Sequence, residues 1–530
     1  MNTSSHQRKP ITRALISVSD KTDIIDFAKE LNSRCIEIVA TSGTANLLKL
    51  HRIPVTDIAT FTGFPEILNG RVKTLHPKVY AGLLARPGFD DNILKQHTIY
   101  PIDLLVVNFR FYTTEVTVPL CIFEETVEQI DIGGPSMLRA GVKNFRSVTV
   151  LVEPSDYKLV LQEMDTNLNA TSLSFRRSLA QKALEYLSNY DAAILSCSVR
   201  EYKSKKSLSF PEGLPVTFQK KAKLRYGENP NQSAVLYRVI PPVPNSLTES
   251  RQLQGKPLSF SNLLDGDCAY RTVWEEQDAI IPTCVIVKHA SPCGAAQGEN
   301  QLVAYEKAYA TDSLSVFGGI VAFNSVLESE TAKKILEKHF VEIIIAPSFT
   351  IDSLRLLKKK PYLRLLEARP PVSDDCSFSF CSITGGLLVQ KNEQTKSNRK
   401  NFTVVSQRLP SKRELQDLYF AWNIVKYVKS NAIVCTKNQT TLGIGSGQSS
   451  RVFSVKIAIM KAQEAGFSLE NSAMASDAFF PFTDGIKTAK KAGIRAIIQP
   501  GGSIRDREIV RAANSAEIAM VFTHQRCFKH

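Results

Sequence analysis

The feature that most constrains the fold is a repeated alternation between short apolar runs and longer amphipathic stretches. In the first 200 residues the apolar runs are Ala14 to Val18, Ile36 to Ala40, Leu104 to Val107 and Val148 to Val152, and a polar turn follows each. Short apolar runs bounded by turns are typical of buried strands, and their alternation with helical stretches is characteristic of α/β proteins. The sequence therefore predicts an α/β fold.

The same alternation resumes in the second part of the chain, after a polar segment. Its apolar runs are Cys284 to Val287, Glu342 to Ala346, Ala432 to Cys435, Arg495 to Ile498 and Ala519 to Phe522. The segment Glu201 to Lys223 is rich in Lys, Ser and Pro and lacks apolar periodicity, which indicates a domain boundary. We predict a domain over residues 1–200, a linker over 201–223, and a domain over 224–530 with a polar connection between two subdomains near 391–402. No internal repeat is visible in the sequence.

Composition and charge exclude several classes of protein. No run approaches the roughly 18 apolar residues of a membrane span, and the polar N-terminus lacks the apolar middle of a secretory signal, so we expect a cytoplasmic protein. Ten dispersed cysteines and eight histidines without metal-binding spacing predict neither a disulfide scaffold nor a metal site. The net charge of +15 is compatible with nucleic acid and with phosphorylated small molecules.

Two predicted strands of the first domain end in turns rich in hydroxyl groups. One is followed by Ser19-Asp20-Lys21, where Ser19 or Asp20 is a candidate helix cap, and the other by Thr41-Ser42-Gly43-Thr44. Free backbone N–H groups and hydroxyls at helix starts beside the carboxyl ends of strands suit a phosphate. Ordinary helix capping explains the same residues equally well.

Two further segments of the first domain suit an anion or acid/base chemistry. Arg71 and Lys73 stand two residues apart in a loop bounded by Gly and Pro. Asp131 stands beside a Gly-Gly turn and Lys143 follows one helical stretch later, so the two could form an acid/base pair. The alternatives are a solvated charge pair for the first segment, and a turn carboxylate with a surface lysine for the second.

A series of motifs occurs in one order from about Arg13 to His530. They are SVSDKT, TSGT, GRVKTLHP, IDIGGPSMLRAGVKN, LRYGENPNQ, VIVKHASPCG, FGGIVAFN, SNAIVCTKNQ, GIGSGQSSR, SDAFFPFTDG and QPGGSIRD. Together they make the sequence resemble the bifunctional purine biosynthesis family, which joins an inosine monophosphate (IMP) cyclohydrolase to an aminoimidazole carboxamide ribonucleotide (AICAR) transformylase. Any one motif alone would be weak.

The resemblance implies a fold, partners and two activities. The fold is a Rossmann-like N-terminal domain similar to methylglyoxal synthase, followed by a transformylase region of two subdomains that are similar to cytidine deaminases but lack zinc. The activities are AICAR formyltransferase, with 10-formyltetrahydrofolate as co-substrate, and IMP cyclohydrolase acting on formyl-AICAR. The family implies a homodimer with a shared transformylase site and no metal, nucleic-acid or membrane partner.

The resemblance also assigns residues to both sites. In the transformylase His289 would accept the proton with Lys288 as its polar companion, and Asn438 would hold the formyl oxygen. The nucleotide site is implied at Arg225, Tyr226, Asn262, Arg451, Arg526 and Phe528, and the folate site at Phe317, Glu342, Phe479 and Asp484. In the cyclohydrolase the phosphate would lie on Ser17, Ser19, Lys21, Ser42, Gly43 and Thr44, and the reaction would use Arg71, Lys73, Thr74, Asp131 and Lys143.

The chain departs from the family pattern at several positions. In the first domain Arg110 replaces a tyrosine, and Tyr80 and Phe145 replace histidines. In the second domain Asn231 and Thr483 depart from the family text. These departures leave a transformylase with a weakened cyclohydrolase as an alternative. A basic nucleic-acid-binding protein is a further alternative, although the basic residues are spread along the chain rather than gathered in a stripe.

Overall fold

The computed structural model describes residues 8–109, 127–205, 210, 213–214, 216–240, 242–275, 281–371, 378–391 and 399–530. The chain divides into two compact units. Unit 1 comprises Met1–Phe218 and Val239–Pro241, and unit 2 comprises Gln219–Arg238 and Pro242–His530. Each unit is built of strands and helices in alternation, so the predicted α/β fold is confirmed.

Unit 1 is built on a parallel sheet of five strands. The strands of the unit, including two outside this sheet, are β1 (Arg8–Pro10), β2 (Arg13–Val18), β3 (Glu37–Ala40), β4 (Thr56–Asp57), β5 (Leu104–Asn108), β6 (Thr149–Leu151) and β7 (Ala170–Ser172). Its helices are α1 (Ile24–Ser33), α2 (Ser42–Leu50), α3 (Ile58–Thr62), α4 (Pro77–Leu84), α5 (Asp91–Gln96), α6 (Gly133–Lys143), α7 (Ser155–Thr166) and α8 (Leu173–Lys205). The sheet order is β4-β3-β2-β5-β6 with every neighbouring pair parallel, while β1 pairs antiparallel with β7.

The inner strands of this sheet are apolar along their length because helices cover both faces. Successive side chains of a strand point to opposite faces. In β2, Ile16 accordingly packs in a cluster with Phe27 of α1, and Leu15 packs in a separate cluster with Met137 of α6. A parallel sheet buried on both faces produces the continuous apolar runs that allowed these strands to be predicted.

The predicted cap of α1 is wrong. The helix begins after Asp23, which has a left-handed backbone (φ 56°) and whose side chain makes no capping bond within the described residues. Asp20 instead accepts hydrogen bonds from the backbone N–H and hydroxyl of Thr22, at 2.9 and 2.7 Å, and these bonds lower the pKa of Asp20. The polar turn therefore closes on itself before the helix starts.

Unit 2 is built on one sheet of twelve strands. The first elements are β8 (Thr217–Lys223), β9 (Val235–Ile240), β10 (Arg251–Gln254), α9 (Phe260–Val273), β11 (Thr283–Lys288), β12 (Ser291–Gln297), α10 (Gln301–Thr311), β13 (Ile320–Phe323), α11 (Ser329–Lys338), β14 (Ile343–Ala346), α12 (Ile351–Leu357) and β15 (Arg364–Glu367). The remaining elements are β16 (Phe378–Ile383), β17 (Gly386–Lys391), β18 (Thr403–Val404), α13 (Lys412–Val425), β19 (Ile433–Lys437), β20 (Thr440–Gly445), α14 (Arg451–Glu464), β21 (Ser472–Ser476), α15 (Asp484–Lys491), β22 (Ile494–Gln499), α16 (Asp506–Ser515) and β23 (Ala519–Phe522). Short 3₁₀ turns lie at Leu247–Glu249 and Arg399–Asn401.

The large sheet is a structural repeat that was not visible in the sequence. Its strand order is β10-β15-β14-β13-β11-β12-β20-β19-β21-β22-β23-β18. The elements from α9 to β15, which we call the first half, recur in the same order from α13 to β23, the second half. The halves meet at β12 and β20, which pair antiparallel, so the order of strands is the same in both directions from the centre.

Glycines at equivalent positions of the two halves make equivalent close contacts with a helix. Gly294 is the fourth residue of β12, and a Cβ atom there would collide with the carbonyl oxygen of Ala308 on α10. Gly443 is the fourth residue of β20, and a Cβ atom there would collide in the same way with Ala458 on α14. Each glycine therefore permits a helix to approach its strand at backbone distance.

The helices of unit 2 form a layer on each face of the sheet. One cluster extends across both halves and contains Tyr270 of α9 and Trp422 of α13. On the other face each half has its own cluster, with Ile335 of α11 in one and Ile486 of α15 in the other. Within the described residues no helix combines the length and the apolarity needed to cross a membrane.

The segment predicted as a linker contains parts of two elements. Helix α8 continues to Lys205, and strand β8 begins at Thr217, so both extend into residues 201–223. The division of the chain at 200 and 223 stays a prediction.

Candidate functional site

In unit 1 the carboxyl ends of β2 and β3 form the predicted phosphate cradle. Helix α2 begins at Ser42, and Gly43 is exposed, with open space where a Cβ atom would lie. The hydroxyl of Thr41 lies 3.2 Å from that of Ser17, so the ends of the two strands are joined. The first backbone N–H groups of an α-helix have no partner within it, so the start of α2 can bind an anion.

Two of the predicted phosphate ligands have their hydroxyls occupied. The side chain of Thr44 is buried, and its hydroxyl oxygen lies 3.4 Å from the backbone nitrogen of Val18 and 3.5 Å from its carbonyl oxygen. The hydroxyl of Ser42 donates to the carboxylate of Glu66. Ser19 and Lys21 remain exposed beside the cradle.

Sequence reasoning missed Asn108, which holds one wall of this cradle. Its Oδ1 accepts hydrogen bonds from the backbone N–H groups of Ser19 and Asp20, both at 2.8 Å, and its Nδ2 donates to the Asp20 carbonyl at 3.1 Å. The signal was a polar residue at the end of a buried strand, since Asn108 directly follows the apolar run of β5.

The start of α6 brings Asp131 and Thr74 together. Asp131 Oδ1 accepts a hydrogen bond from Gly134 N–H at 3.0 Å, and Asp131 N–H donates to the Tyr190 hydroxyl at 2.8 Å. A Cβ atom on Gly133 would collide with the hydroxyl oxygen of Thr74, which shows how closely the loop and the helix approach. Asp131 is therefore held rigidly at the beginning of the helix.

Arg71 and Lys73, the two cations of the loop before α4, have different surroundings. Lys73 is exposed, with its ammonium nitrogen 3.9 Å from where a Cβ atom on Gly70 would lie, and a carboxylate oxygen of Glu66 lies 3.6 Å from the same point. Arg71 forms an ion pair with Glu128, and both side chains are exposed. The loop thus presents two cations at the surface, one of them paired with Glu128.

The predicted acid/base pair of Asp131 and Lys143 is not formed within the chain. Asp131 caps the start of α6 and Lys143 is its last residue. Eleven helical residues rise about 16 Å, so the two groups are at opposite ends of the helix.

The three first-domain departures from the family pattern differ in what can be said of them. Arg110 lies outside the described residues. Tyr80 is half-buried on α4, and burial, with a smaller effect of the Asp131 charge, raises the pKa of its phenol. Phe145 packs after α6, with its carbonyl oxygen 3.1 Å from the guanidinium Nε of the buried Arg176.

In unit 2 most predicted residues lie at one edge of the large sheet, which we call the site edge. Strands β11, β20, β21, β22 and β23 end there, and β12, β13, β14, β15 and β19 begin there. Lys288 ends β11 and His289 follows it, so both are at the site edge. His289 is exposed, and the ammonium of Lys288 donates to the carbonyl oxygen of Phe317 at 2.8 Å.

His289 stands in a tight hairpin turn that is held from two sides. His289 and Ala290 have φ angles of 54° and 55°. Asp265 of α9 accepts a hydrogen bond from Ala290 N–H at 2.6 Å, and the Lys529 ammonium lies 3.4 Å from the Ala290 carbonyl oxygen. Neither Asp265 nor Lys529 was predicted from the sequence.

The structure does not bring Asn438 to His289. Asn438 follows β19, which ends at the opposite edge of the sheet, and β12 lies between the two positions. Seven strand residues span about 20 Å. Asn438 Oδ1 accepts from the Arg413 guanidinium, including a bond of 2.7 Å from Nε. Within one chain Asn438 therefore does not lie beside His289, and its role at a site shared by two subunits stays a prediction.

An amide at the site edge is that of Asn431, two residues before the start of β19. Its Oδ1 accepts a hydrogen bond from Arg451 at 2.6 Å, and its Nδ2 donates to the Gln448 carbonyl at 2.8 Å. Arg451 also donates to the carboxylate of Asp477, and both are buried. Arg451 was predicted to bind phosphate, but here its donors hold Asn431 and Asp477.

The C-terminal segment joins this network to the His289 turn. Ser430 donates its hydroxyl to Asp477 at 2.6 Å and accepts a hydrogen bond from Lys529 N–H at 3.0 Å. The guanidinium of Arg526 lies 4.5 Å from the ring centroid of Phe528, and both residues are exposed. The segment therefore presents a cation and an aromatic ring at the site edge.

The other nucleotide-site candidates gather at the start of α9. Arg225 N–H donates to Leu258 O, and its guanidinium lies 5.3 Å from the ring centroid of Tyr226. Asn262 Oδ1 accepts from Ser259 N–H at 3.1 Å within a capping box. Asn262 is one turn before Asp265 on the same helix, so this group lies near the His289 turn.

The folate-site candidates are spread along the site edge. Phe317, which is exposed, packs against Phe340 before β13. The carboxylate of Glu342 forms a 2.5 Å ion pair with Arg364. Phe479 follows β21, and Asp484 is the exposed first residue of α15. These residues extend along the edge on both sides of the His289 turn.

The described residues contain no group of three or more His, Cys, Asp or Glu side chains placed to hold a metal ion. The donors that converge at the two sites are hydroxyls, amides, ammonium and guanidinium groups. Such donors suit phosphate and carboxylate groups.

Comparison with known proteins adds to this geometry. The family model described as AICARFT/IMPCHase bienzyme matches residues 141–461, which is more than half of the chain. A model described as MGS-like domain matches residues 23–136. Among solved structures, one titled "Crystal structure of ForH" is 33% identical over 36% of this chain and 99% of that chain, with a TM-score of 0.33.

The family match and the fold agree. The MGS-like match covers β3, β4 and β5 of the parallel sheet of unit 1, and the bienzyme match runs from α6 of unit 1 into α14 of unit 2. The chain therefore belongs to the AICARFT/IMPCHase bienzyme family, whose members are bifunctional enzymes of purine biosynthesis.

Proposed function

We propose that this chain transfers a formyl group from 10-formyltetrahydrofolate to the 5-amino group of AICAR, and then closes formyl-AICAR to IMP with loss of water. The family match and the position of Lys288, His289 and Asn431 on the same edge of the sheet support the first reaction. By the same family resemblance we propose a homodimer that works in the cytoplasm.

Formyl transfer makes two chemical demands that the site edge meets. The amine of AICAR is a weak nucleophile because its lone pair is drawn into the ring, so a base must take its proton as the bond forms. His289 is exposed at the end of β11 and takes this role. Negative charge develops on the formyl oxygen, and a neutral amide can donate to it without losing a proton.

We assign the amide role to Asn431 in place of Asn438. One Nδ2 hydrogen of Asn431 is bonded to Gln448, and an amide carries a second one. Arg451 fixes Oδ1 of the amide, so the orientation of the donor is set before substrate binds. The monophosphate of AICAR then falls to Arg225 and Arg526, whose exposed guanidinium groups suit a phosphate.

Ring closure is assigned to unit 1. The phosphate would bind at the start of α2 with Ser17, Ser19 and Lys21, and Lys73 would polarise the formyl group. Asp131 would accept the amide proton. Lys143 is left out of this step within one chain because it lies at the far end of α6.

A transformylase with a weakened cyclohydrolase is the second candidate, and Tyr80 favours it. A histidine at this position could exchange a proton near neutral pH. The phenol of Tyr80 cannot, because burial raises a pKa that is already near 10. The nearby charge of Asp131 acts in the same direction.

The decisive experiment is incubation of the purified chain with AICAR and 10-formyltetrahydrofolate, with chromatographic identification of the products. IMP alone supports the bifunctional enzyme, and accumulating formyl-AICAR supports the second candidate. Absence of both products contradicts the proposed function. Lys73→Ala should stop IMP formation while formyl transfer continues, and equal loss of both activities would contradict the assignment of two separate sites.

His289→Asn is the sharpest test of the base. The second half has Asn438 at the equivalent turn position with a φ angle of 53°, so asparagine fits this backbone. The variant should fold normally and lose formyl transfer by about 10²- to 10⁴-fold, the usual contribution of a general base. Turnover close to that of the unmodified protein would remove His289 from this role.

A further inference from the structure

The turn that carries His289 has a backbone that its residues do not favour. A two-residue hairpin turn with positive φ at both positions usually has Asn-Gly, because glycine and asparagine tolerate that region. Here the residues are His289 and Ala290, with φ angles of 54° and 55°. Left-handed backbone costs other residues about 1–2 kcal/mol each, so surrounding contacts must hold the turn.

Asp265 supplies the shortest of those contacts. Its Oδ1 accepts the Ala290 N–H at 2.6 Å. Burial raises the pKa of Asp265, and the backbone N–H groups of Ala290 and His289 and the charge of His289 oppose that rise. The carboxylate therefore faces the backbone of the turn that carries His289. Helix α9 carries it, and the capping box at Ser259 and Asn262 fixes the start of that helix.

The second half contains the same contact without the histidine. Asp417 is the sixth residue of α13, as Asp265 is of α9, and its Oδ1 accepts Gln439 N–H at 2.6 Å. The turn residues Asn438 and Gln439 both have φ angles of 53°. A helix carboxylate that holds a hairpin turn is thus part of the repeated fold, and only the first half places an imidazole beside it.

We propose that Asp265 is a positioning residue for His289, which it orients through the turn and whose protonated form it stabilises. The inference rests on the proposed formyl transfer. In it the amine forms a bond to the formyl carbon, His289 takes the amine proton and becomes positive, and the bond from the formyl carbon to the folate nitrogen breaks as that nitrogen takes up a proton. A nearby negative charge favours the positive imidazole. Other charged groups around this turn are Lys288 at the end of β11, Lys429 after α13 and Lys529 in the C-terminal segment, and all three are cationic.

The test compares Asp265→Asn with the matched variant Asp417→Asn. Asparagine still accepts a hydrogen bond but has no charge, so each variant changes one helix-to-turn contact in the same way. In Asp265→Asn we expect roughly a tenfold lower kcat with the KM for AICAR unchanged, and an acidic limb of the pH–kcat profile that moves to lower pH. Asp417→Asn should leave kcat, KM and the limb unchanged.

Two further measurements keep the test decisive. Asp265→Glu retains the charge and should keep the limb in place, and a limb that moves as far as in Asp265→Asn would overturn the proposal. Equal effects of Asp265→Asn and Asp417→Asn on kcat and on the limb would also overturn it, since the role would then be structural.

The imidazole of His289 can be followed by NMR whether or not the enzyme turns over. The ring chemical shifts of His289 should change in Asp265→Asn and stay in place in Asp417→Asn. An unmodified protein that does not formylate AICAR contradicts the proposed function alone. Ring chemical shifts of His289 that are unchanged in Asp265→Asn contradict the positioning role alone.

Discussion

The two halves of unit 2 have the same elements in the same order but differ in the side chains at equivalent positions. After β11 the first half has His289, and after β19 the second half has Asn438. At the start of the next helix the first half has Gln301, where the second half has Arg451. The comparison teaches that the fold fixes where these side chains stand, whereas their chemistry follows from the individual residues.

The largest expected effect concerns the Arg451–Asp477 pair, which replaces Gln301 and Asn324 of the first half. Arg451→Gln leaves the fully buried Asp477 carboxylate without its cation, which costs about 3–5 kcal/mol of unfolding free energy. The double variant Arg451→Gln/Asp477→Asn copies the first half and should recover more than half of that loss. Urea unfolding measures both, and a double variant as unstable as the single one would contradict the equivalence of these positions.

The next largest expected effect is a difference in activity between variants at the two edges of the sheet. Asn431→Ala removes an amide at the site edge and should lower formyl transfer by about 10²- to 10³-fold, the usual effect of losing one oxyanion donor. Asn438→Gly, chosen because the φ angle there is 53°, should leave the rate within about twofold, since it changes the opposite edge. Steady-state kinetics with AICAR varied would contradict this assignment if the two variants lost activity equally.

A smaller effect is expected at the glycines where helix and strand touch. Gly294→Ala and Gly443→Ala each introduce a methyl group against a helix carbonyl oxygen, and each should cost about 1–3 kcal/mol of unfolding free energy. The two losses should be similar because the contact is repeated. If denaturant unfolding showed one glycine to be replaceable at no cost, the helix packing of the halves would differ.

The smallest effect is a pH dependence confined to the first half. His339 follows α11 and lies beside the rings of Tyr305 and Tyr309, and burial lowers its pKa to about 4, whereas the second half has Ala492 after α15. A histidine whose pKa is lower in the folded state binds fewer protons there than in the unfolded state. Stability from this group is therefore present above pH 6.5 and is lost as the pH falls toward 4.

The measurement is the urea midpoint at pH 7 and at pH 5, in the unmodified chain and in His339→Phe. The urea midpoint of the unmodified chain should fall further between pH 7 and pH 5 than that of His339→Phe, because the variant has no imidazole to protonate. An identical loss in both proteins would show that His339 does not contribute.

The buried central strands and the position of His289 could be predicted from the sequence for one physical reason. A strand buried on both faces must be apolar along its length, so β5, β11 and β14 could each be located to within a residue. Ligands of α/β sheets bind at the carboxyl ends of strands, so the position of His289 followed from that of β11.

Relations between distant strands could not be predicted in this way. Lys288-His289 and Lys437-Asn438 both follow apolar runs, and the two lysines even make similar bonds, to Phe317 O at 2.8 Å and to Glu470 O at 2.7 Å. Only the strand order shows that the two turns lie at opposite edges. Asn431 stands one strand earlier in the same motif as Asn438, and strand direction alone distinguishes their positions.

The repeat itself was hidden for a related reason. The positions that the halves share are few and dispersed, such as Asp265 with Asp417, and they hold the backbone in place. The positions that differ carry the chemistry, so the sequence similarity between the halves is weak where the motifs are most recognisable. Lys143 shows a different limit in unit 1, because the helix that the sequence indicated between Asp131 and Lys143 holds the two residues at its opposite ends.

The turn at Asn438 and Gln439 has a consequence for protein engineering. Its backbone, its supporting carboxylate and its place after a buried strand match those of the turn that holds His289. Asn438→His would therefore install an imidazole on a scaffold already shaped to hold one, at an edge that the proposed chemistry does not use. The duplicated sheet thus contains a second hairpin turn at which a new activity can be engineered away from the proposed site.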